Sequence, residues 1–435
     1  MQSTHLELLQ QAQTAAYQAD WALLNQHLQH LLSGDYSSCS SDADLSALLL
    51  NLALQSLESG DFQDRWDVAK LFPSFGVAAI APLLDLLQDQ DADSETQWFA
   101  IRILSSFNYP SVVTALVDLL KTPTNEDLNE MAVTTLAAMG SGAIEILTQL
   151  LDQDNTRRLA TQTLSQIRHP ATVPLLINVV HDQDAQVRST AIEALSSFHT
   201  PDITKILIQA LKDPVTTVRR AAVIGLGFRT AKVTELDLVS HLRPLLLDLN
   251  LEVCKQTAIA LGRLSTPAAT TILFQTLQSL NTPETLAIEL VRALGWVGTS
   301  DALHYLQRSL IQLPLASVCQ EILVVLGRVD HPDQKRQATQ ILLDLLQQDS
   351  TFAQSTSARQ AIALALGQLG DPAALNPLIN LLADPHVSVR FHVISALKTL
   401  APESACQRLE QLFQSESSGS ELGRGVAIAL KEWQF

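Results

Sequence analysis

The stretch DPVTTVRRAAVIGLG at residues 213–227 decides the fold, because stretches of the same form recur along the chain. One period of 31 residues earlier, residues 182–196 have the sequence DQDAQVRSTAIEALS, and residues 384–398 have DPHVSVRFHVISALK. Each begins with Asp, continues into Val-Arg, and reaches a leucine that follows Ala or Gly. A fixed period of about 20–50 residues is the signature of a solenoid, in which each unit packs only on its neighbours.

The leucine near the end of each stretch marks the register of the repeat. The register residues are Phe72, Leu104, Leu136, Leu164, Leu195, Leu226, Leu261, Leu294, Leu326, Leu366, Leu397 and Leu430. They are 28 to 35 residues apart, except for one step of 40 in which residues 347–356 form an apparent insertion. The apolar pattern between register residues predicts two helices per unit, joined by a turn that carries Asp and often Pro.

This repeat predicts an all-α protein, an α-solenoid (superhelix) of about eleven helical-hairpin units over residues 63–417. Residues 1–62 leave the register although their apolar spacing is helical, so we interpret them as an N-terminal helical cap. Residues 418–435 are expected to form a C-terminal capping helix, because a terminal unit must cover the apolar face of its neighbour. Residues 33–44, rich in Ser, Gly and Asp, predict a loop within the cap.

Two further positions follow the register. The residue before the register leucine is small at Ala194, Gly225, Ala260, Ala293, Ala365, Ala396 and Ala429. Small side chains allow neighbouring helices to approach closely. An arginine stands seven residues before the register leucine at Arg157, Arg188, Arg219, Arg359 and Arg390. A cation in the first helical turn opposes the helix dipole, so we expect a partner in the Asp of the preceding turn, in its own or the adjacent unit.

Charge and composition exclude several classes of function. The chain has 45 acidic against 28 basic residues, a formal net charge of −17, which predicts no nucleic-acid partner. Its four cysteines form no paired motif, and Cys254 and Cys319, which replace the arginine in two units, are interpreted as buried thiols. No signal peptide or membrane-spanning run is visible, so we expect a soluble, cytoplasmic protein without membrane insertion or a metal site.

The pattern Leu-Leu-x-Asp-Pro-x-x-x-Val-Arg-x-x-Ala-x-x-x-Leu-Gly resembles the HEAT repeat over residues 63–435. It is similar to the short form found in the phycobilisome lyase group of cyanobacteria and in deoxyhypusine hydroxylase. Resemblance to the hydroxylase would imply a di-iron site built from His-Glu dipeptides, and the chain contains none. We therefore predict no di-iron hydroxylase, no catalytic residue and no cofactor.

Resemblance to the lyase group leaves an enzyme open as the alternative, a bilin lyase or isomerase acting on a phycobiliprotein cysteine. Such an enzyme would need a groove with cations for the propionates of a linear tetrapyrrole. The candidates on or just after second helices are Arg102, Arg220, Arg229, Arg263, Arg292 and Arg328. Each is also explained as a solvated or locally paired charge.

Aromatic residues in the first units depart from the repeat. Trp66 and Trp98 occupy a position that is mostly polar elsewhere, six residues before the register residue, and Phe99, Arg65 and Arg102 lie close by in sequence. Aromatic and arginine side chains together are typical of interface hot spots. The alternative is that the N-terminal cap covers both tryptophans. The sequence thus predicts a scaffold for a protein partner, and the family resemblance implies a phycobiliprotein or photosynthetic assembly subunit as that partner.

Overall fold

A computed structural model describes residues 2–33, 43–89, 91–121, 125–230, 236–313, 315–415 and 420–433. Within these ranges the regular structure consists of 26 α-helices and a few 3₁₀ turns, without a strand. The predicted all-α solenoid is confirmed. The loop predicted at residues 33–44 lies mostly outside the described residues. The chain forms two compact units, Met1–Ser197 and Phe198–Phe435.

The first unit contains twelve α-helices, with a 3₁₀ segment at Phe72–Ala79 after the fourth. They are α1 (Gln2–Tyr17), α2 (Trp21–Ser33), α3 (Ala43–Ser59), α4 (Phe62–Ala69), α5 (Ile80–Gln88), α6 (Ser94–Leu104), α7 (Pro110–Lys121), α8 (Glu126–Ala138), α9 (Ser141–Leu151), α10 (Asp154–Gln166), α11 (Thr172–Asn178) and α12 (Ala185–Leu195). Successive even-numbered helices pack on each other from α4 through α6, α8 and α10 to α12.

The second unit contains fourteen α-helices. They are α13 (Pro201–Ala210), α14 (Thr216–Leu226), α15 (Leu238–Leu242), α16 (Leu251–Leu264), α17 (Pro267–Leu277), α18 (Glu284–Val297), α19 (Ser300–Gln312), α20 (Ala316–Gly327), α21 (Pro332–Leu346), α22 (Thr356–Leu369), α23 (Leu375–Asn380), α24 (Val387–Leu400), α25 (Pro402–Ser415) and α26 (Glu421–Trp433). From α14 to α26 the even-numbered helices again form one continuous stack.

Every even-numbered helix from α6 onward is the second helix of a pair and carries the register leucine. Phe72 and the register leucines from Leu104 to Leu397 are fully buried, while Leu430 on the last helix is half-buried. The number of helical pairs from α5 to α26, eleven, agrees with the number of repeats that the sequence predicts. The assignment of residues 1–62 and 418–435 as caps stays a prediction.

Capping residues fix where the helices begin. Asp93 accepts a hydrogen bond from the backbone N–H of Thr96, and Asn250 caps α16 in the same way. First helices begin with Thr-Pro: Thr200 caps α13, and Thr266 caps α17. Side-chain oxygens at these positions satisfy backbone N–H groups that have no partner within the helix, and proline suits the first helical position.

Glycines set the distance between second helices in the second unit. A Cβ at Gly367 would lie 2.8 Å from Cα and 2.9 Å from Cβ of Ala396 on the next second helix. A Cβ at Gly262 would lie 3.1 Å from both of those atoms of Ala293. The predicted close approach is confirmed, and it pairs the glycine after one register leucine with the alanine before the next.

The arginine seven residues before the register residue connects successive units. Arg219 donates from Nε to Asp248 Oδ2 at 2.7 Å and from Nη2 to Oδ1 at 2.8 Å, and Asp248 lies in the turn of the following unit. It also donates to the carbonyls of Asp213 and Pro214 in its own turn, both at 2.9 Å. The expected Asp partner is thus present in the adjacent unit, and the carbonyls of the arginine's own turn are acceptors that the sequence did not predict.

We call these arginine contacts between successive repeats the arginine ladder, and they recur with variations. Arg157 pairs with Asp182 at 3.3 Å, and Arg359 pairs with the buried carboxylate of Asp384. Arg359 also hydrogen-bonds Gln354, so residues of the insertion at 347–356 take part in this link.

Cysteine replaces the ladder arginine in two of the repeats. Cys254 Sγ donates to the carbonyl of Asp248 at 3.2 Å, six residues earlier, as Arg188 does to Asp182 at 2.7 Å. Cys319 Sγ donates to the carbonyl of Leu313 at 3.5 Å. Burial raises the pKa of both thiols, which agrees with their interpretation as buried cysteines.

No single described helix is both long and apolar enough to cross a membrane. Two bent pairs of helices reach that length and composition when each pair is taken together, Phe62–Ala69 with Phe72–Gln88 and Glu126–Ala138 with Gly142–Leu151.

We predict that Gly367→Ala destabilises the second unit. In an open helix this change would stabilise by up to about 1 kcal/mol, whereas overpacking against Ala396 costs about 1–3 kcal/mol. Urea unfolding followed by helical circular dichroism gives the midpoint. Ser395→Ala, at an exposed position of α24, is the control and should leave the midpoint nearly unchanged. A higher midpoint for Gly367→Ala would show that the helices are not in close contact.

We predict that Asp248→Asn destabilises the chain by about 3 kcal/mol at pH 7, because it leaves the Arg219 guanidinium without its carboxylate. Hydrogen bonding to Arg219 holds the pKa of Asp248 below its usual value. The Asp248 carboxylate therefore contributes its full stabilisation above about pH 3.9, the pKa of an Asp in the unfolded chain. This stabilisation is lost as the pH falls below that value. The difference between wild type and variant in urea midpoint should narrow below about pH 4.

The matched control for this ion pair is Asp349→Asn, a change at an exposed carboxylate. It should have little effect at any pH. A wild-type-to-Asp248→Asn difference that stays constant from pH 7 to pH 3 would contradict a stabilising charge at Asp248.

Candidate partner-binding site

The two tryptophans singled out in the sequence lie on neighbouring second helices and hold one arginine between them. The guanidinium carbon of Arg102 lies 4.2 Å from the ring centroid of Trp66 and 5.6 Å from that of Trp98. Both indoles are half-buried and Arg102 is exposed. A guanidinium over an indole face is attracted by the ring quadrupole, so the three side chains restrain one another.

Phe62 extends this group and was missed from the sequence. Its ring is 53% exposed, stacks on Trp66 at a centroid distance of 6.1 Å, and lies 5.4 Å from the ring of Phe99. It stands four residues before Trp66, a spacing that places both on one helix face. We call Phe62, Trp66, Trp98 and Arg102 the aromatic clasp.

Phe99 supports the clasp from below. It is fully buried and contacts the Trp98 ring edge-on at 5.1 Å. Its place in the core fixes the indole of Trp98 while leaving part of that indole accessible to solvent.

Arg65 occupies the ladder position, seven residues before Phe72, and is 6% exposed. Its guanidinium pairs with Asp93 at 2.8 Å and with Glu95, and it donates to the Glu58 carbonyl at 3.1 Å. Burial would raise the pKa of Asp93, but hydrogen bonds from Thr96 and Arg65 outweigh burial and hold it below its usual value. Arg65 thus ties α4 to α6, and its buried position separates it from the exposed surface of the clasp.

The N-terminal helices contact the clasp region without covering it. Helices α2 and α3 pack on α4, and the buried Asn25 on α2 donates to the carbonyl of Asp64 at 2.9 Å. Trp66 and Trp98 nevertheless keep part of their surface accessible. The arrangement lies between the two interpretations that the sequence allows.

A groove of about 400 Å³ opens beside the clasp. Its lining includes Trp66, Lys70, Pro73, Arg102, Met131 and Thr134, contributed by α4, α6, α8 and the 3₁₀ segment after α4. The lysine ammonium lies 6.0 Å from the Trp66 centroid. The groove therefore combines an aromatic wall, a methionine and two cations, a composition suited to a protein surface with exposed apolar and acidic groups.

The other predicted arginines belong to the second unit. Arg220, Arg263, Arg292 and Arg328 are all exposed. Arg292 pairs with Glu289 at 2.7 Å and Glu321 at 2.8 Å. Arg229, by contrast, is buried and donates to the Phe198 carbonyl at 2.9 Å. Burial lowers the pKa of Arg229.

The described part of the chain holds no group of three or more His, Cys, Asp or Glu side chains placed to bind a metal ion. The aromatic and cationic groups of the clasp offer contact area and charge.

Comparison with known proteins agrees with the stacked helical pairs. A family model for HEAT repeats matches residues 80–158, 144–227, 204–287 and 352–431. Protein YibA of Escherichia coli strain K12 is 36% identical over 80 residues, which are 18% of this chain and 29% of YibA.

Among solved structures, Kap95p in its complex with RanGDP matches with a TM-score of 0.60 at 12% identity, over 89% of this chain and 60% of Kap95p. The match thus spans less than two thirds of that protein, and at this identity it shows the fold alone. The phycocyanin lyase complex of CpcE and CpcF from a Nostoc species matches at 19% identity over 60% of this chain and 94% of that one. Its TM-score of 0.31 is too low to relate the two proteins beyond the repeat.

The matched residues make up more than half of the chain, and they coincide with helical pairs whose register leucines are buried. The chain belongs to the HEAT-repeat family.

Proposed function

We propose that this protein is a non-catalytic binding scaffold, an assembly factor that holds a protein partner through the aromatic clasp. The observation that carries the proposal is the Arg102 guanidinium held between two half-exposed indoles. Arg and Trp are the residue types most enriched at interface hot spots. Kap95p, which shares the fold, binds RanGDP and so gives one case of a protein held by such a stack.

Stacking of the helices does not require aromatic side chains at the position that Trp66 and Trp98 occupy. Six residues before the register residue, later units carry Glu130, Arg158, Ser189, Arg220, Lys255, Ile288, Gln320, Gln360, Phe391 and Arg424. Most of these are polar, and those units stack as well as the first ones do. Two tryptophans at positions that packing leaves free are therefore better explained by contact with a partner.

The clasp is also fixed before binding, which favours affinity. Phe99 and the cation–π contacts already restrict Trp98 and Arg102, so less side-chain entropy is lost when a partner covers them. A cation–π contact is worth about 0.5–1 kcal/mol when exposed and about 2 kcal/mol or more once water is excluded. A partner that covers the clasp strengthens the contacts within it.

The first partner to test is a phycobiliprotein subunit or another component of a photosynthetic assembly. This choice rests on the resemblance of the repeat pattern to the phycobilisome lyase group. The groove beside the clasp supports a partner with acidic and apolar groups, because its rim carries Lys70 and Arg102.

We predict that Trp98→Ala weakens partner binding by about 30-fold, corresponding to about 2 kcal/mol for a hot-spot tryptophan. The partner is first captured from native cell extract by the tagged wild-type chain, then purified and titrated by calorimetry. Arg102→Ala, a change at an exposed position, should weaken binding in the same direction and guards against a folding defect in Trp98→Ala.

Two controls define the result. Phe413→Ala removes another exposed aromatic side chain, 58% accessible, from α25 of the second unit and should leave affinity unchanged. Arg188→Ala removes a ladder contact and should lower the unfolding midpoint more than the affinity. Equal affinity for the wild type and a folded Trp98→Ala variant would remove the clasp from the binding surface.

We further predict that the purified chain neither takes up free bilin nor transfers it to an apo-phycobiliprotein. The measurement is the visible absorption spectrum of bilin titrated with the chain, followed by denaturing electrophoresis to detect covalent chromophore. A red shift on mixing together with chromophore attached to the phycobiliprotein would establish the lyase alternative and overturn a purely scaffolding role.

A further inference from the structure

Four successive second helices of the second unit end in a regular alternation of aromatic and arginine side chains. The position two residues after the register leucine holds Phe228 just after α14, Arg263 on α16, Trp296 on α18 and Arg328 just after α20. Phe228 is 53% and Trp296 57% exposed, and both arginines are exposed. We call these four residues the second-unit row.

The packing of the glycines shows that these helix ends lie side by side. The residues directly before the row are Gly227, Gly262, Gly295 and Gly327. Each lies against the residue before the register leucine of the next second helix, in turn Ala260, Ala293, Val325 and Ala365. Because every step has the same register, the four side chains that follow the glycines form a line, with about 8–10 Å between neighbouring helices.

Within the row, arginine leans on the preceding aromatic ring. The Arg263 guanidinium carbon lies 4.5 Å from the ring centroid of Phe228. Gln368, the next residue in this series, likewise reaches back, since its Oε1 lies 2.8 Å from where a Cβ of Gly327 would be. The side chains at this position therefore run along the stack and cover the ends of the helices before them.

The charges of the two arginines of the row are not neutralised by an ion pair within the described residues. Arg263 and Arg328 form no ion pair with a carboxylate of the described residues, although acidic residues outnumber basic ones by 45 to 28. Arg292, on the same set of helices, instead engages both Glu289 and Glu321. The two exposed guanidiniums of the row therefore stay available for an external anion.

An apolar strip, interrupted on α18, accompanies the row. Four residues earlier, and so on the same face, stand the half-buried Ile224, Ile259 and Val324, whereas the ion-paired Arg292 takes this position on α18. The next second helix continues the strip with Leu364, which is 39% exposed. The surface offers cations and apolar contact together.

We propose that the second-unit row is a docking surface for an extended acidic segment of a partner protein, separate from the aromatic clasp. Arg263 and Arg328 lie two helices apart, about 16–20 Å, which an extended chain spans in about five or six residues. The segment places a carboxylate on each guanidinium and one apolar side chain over Trp296 between them. Charge complementarity selects an acidic occupant.

The test uses a fluorescein-labelled peptide with two glutamates six residues apart and a leucine four residues after the first, because alternate residues of an extended chain share one face. Fluorescence anisotropy with the full chain measures its affinity at low and at physiological salt. We expect saturable binding that weakens with salt. The same peptide with glutamine in place of glutamate should bind at least tenfold more weakly.

The double variant Arg263→Gln/Arg328→Gln should lower the affinity for the acidic peptide at least tenfold, and Trp296→Ala should lower it as well. Arg408→Gln, which removes an exposed arginine of α25 outside the row, is the matched control and should bind as the wild type does. All changes are at exposed positions, and unfolding curves confirm that the variants fold.

Three results would overturn the proposal: no saturable binding of the acidic peptide, equal binding of the glutamine peptide, or wild-type affinity in the double variant. Self-association of the chain that the double variant abolishes would identify a second copy as the occupant and would overturn it too. Trp98→Ala should bind the peptide normally, so failure of the row and failure of the clasp are distinguishable.

Discussion

Each helical pair of this chain has an apolar side that it cannot bury alone, and the close contact between successive second helices solves that problem. The contact is set by glycine after one register leucine and alanine before the next, as at Gly262 and Ala293. It brings fully buried leucines such as Leu261 and Leu294 together in one continuous core. In the second unit the glycines at 227, 327 and 367 repeat this contact, so the register fixes the position of each remaining side chain there relative to its neighbours.

The arginine ladder adds an electrostatic link to this packing, and its interruptions show which of the two is essential. Arg219 bridges its own turn and Asp248 of the next unit, whereas Cys254 and Cys319 keep only the bond to a carbonyl of their own turn. Helices α16, α18 and α20 still stack closely. Apolar packing therefore suffices for stacking, and the ion pairs stabilise particular joints.

The repeat pattern predicted the helical pairs, the buried register leucines, the small contact residues and the ladder partners, because each depends on local spacing. Arg65 was assigned to a binding surface although it stands seven residues before Phe72, and applying the register consistently would have placed it in the ladder. Phe62 was missed because it precedes the first recognised unit. The half-exposure of Trp66 and Trp98 depends on how the N-terminal helices pack, which no sequence period specifies.

The second-unit row has to attract an acidic segment although the whole chain carries a net charge of −17. At physiological ionic strength the screening length is about 8 Å, so most of that charge lies too far from any one site to repel a bound carboxylate. At contact, local charges matter most, and Arg263 and Arg328 supply the exposed cations of the row. Net charge thus slows the approach of an acidic partner, while the local guanidiniums determine where it binds.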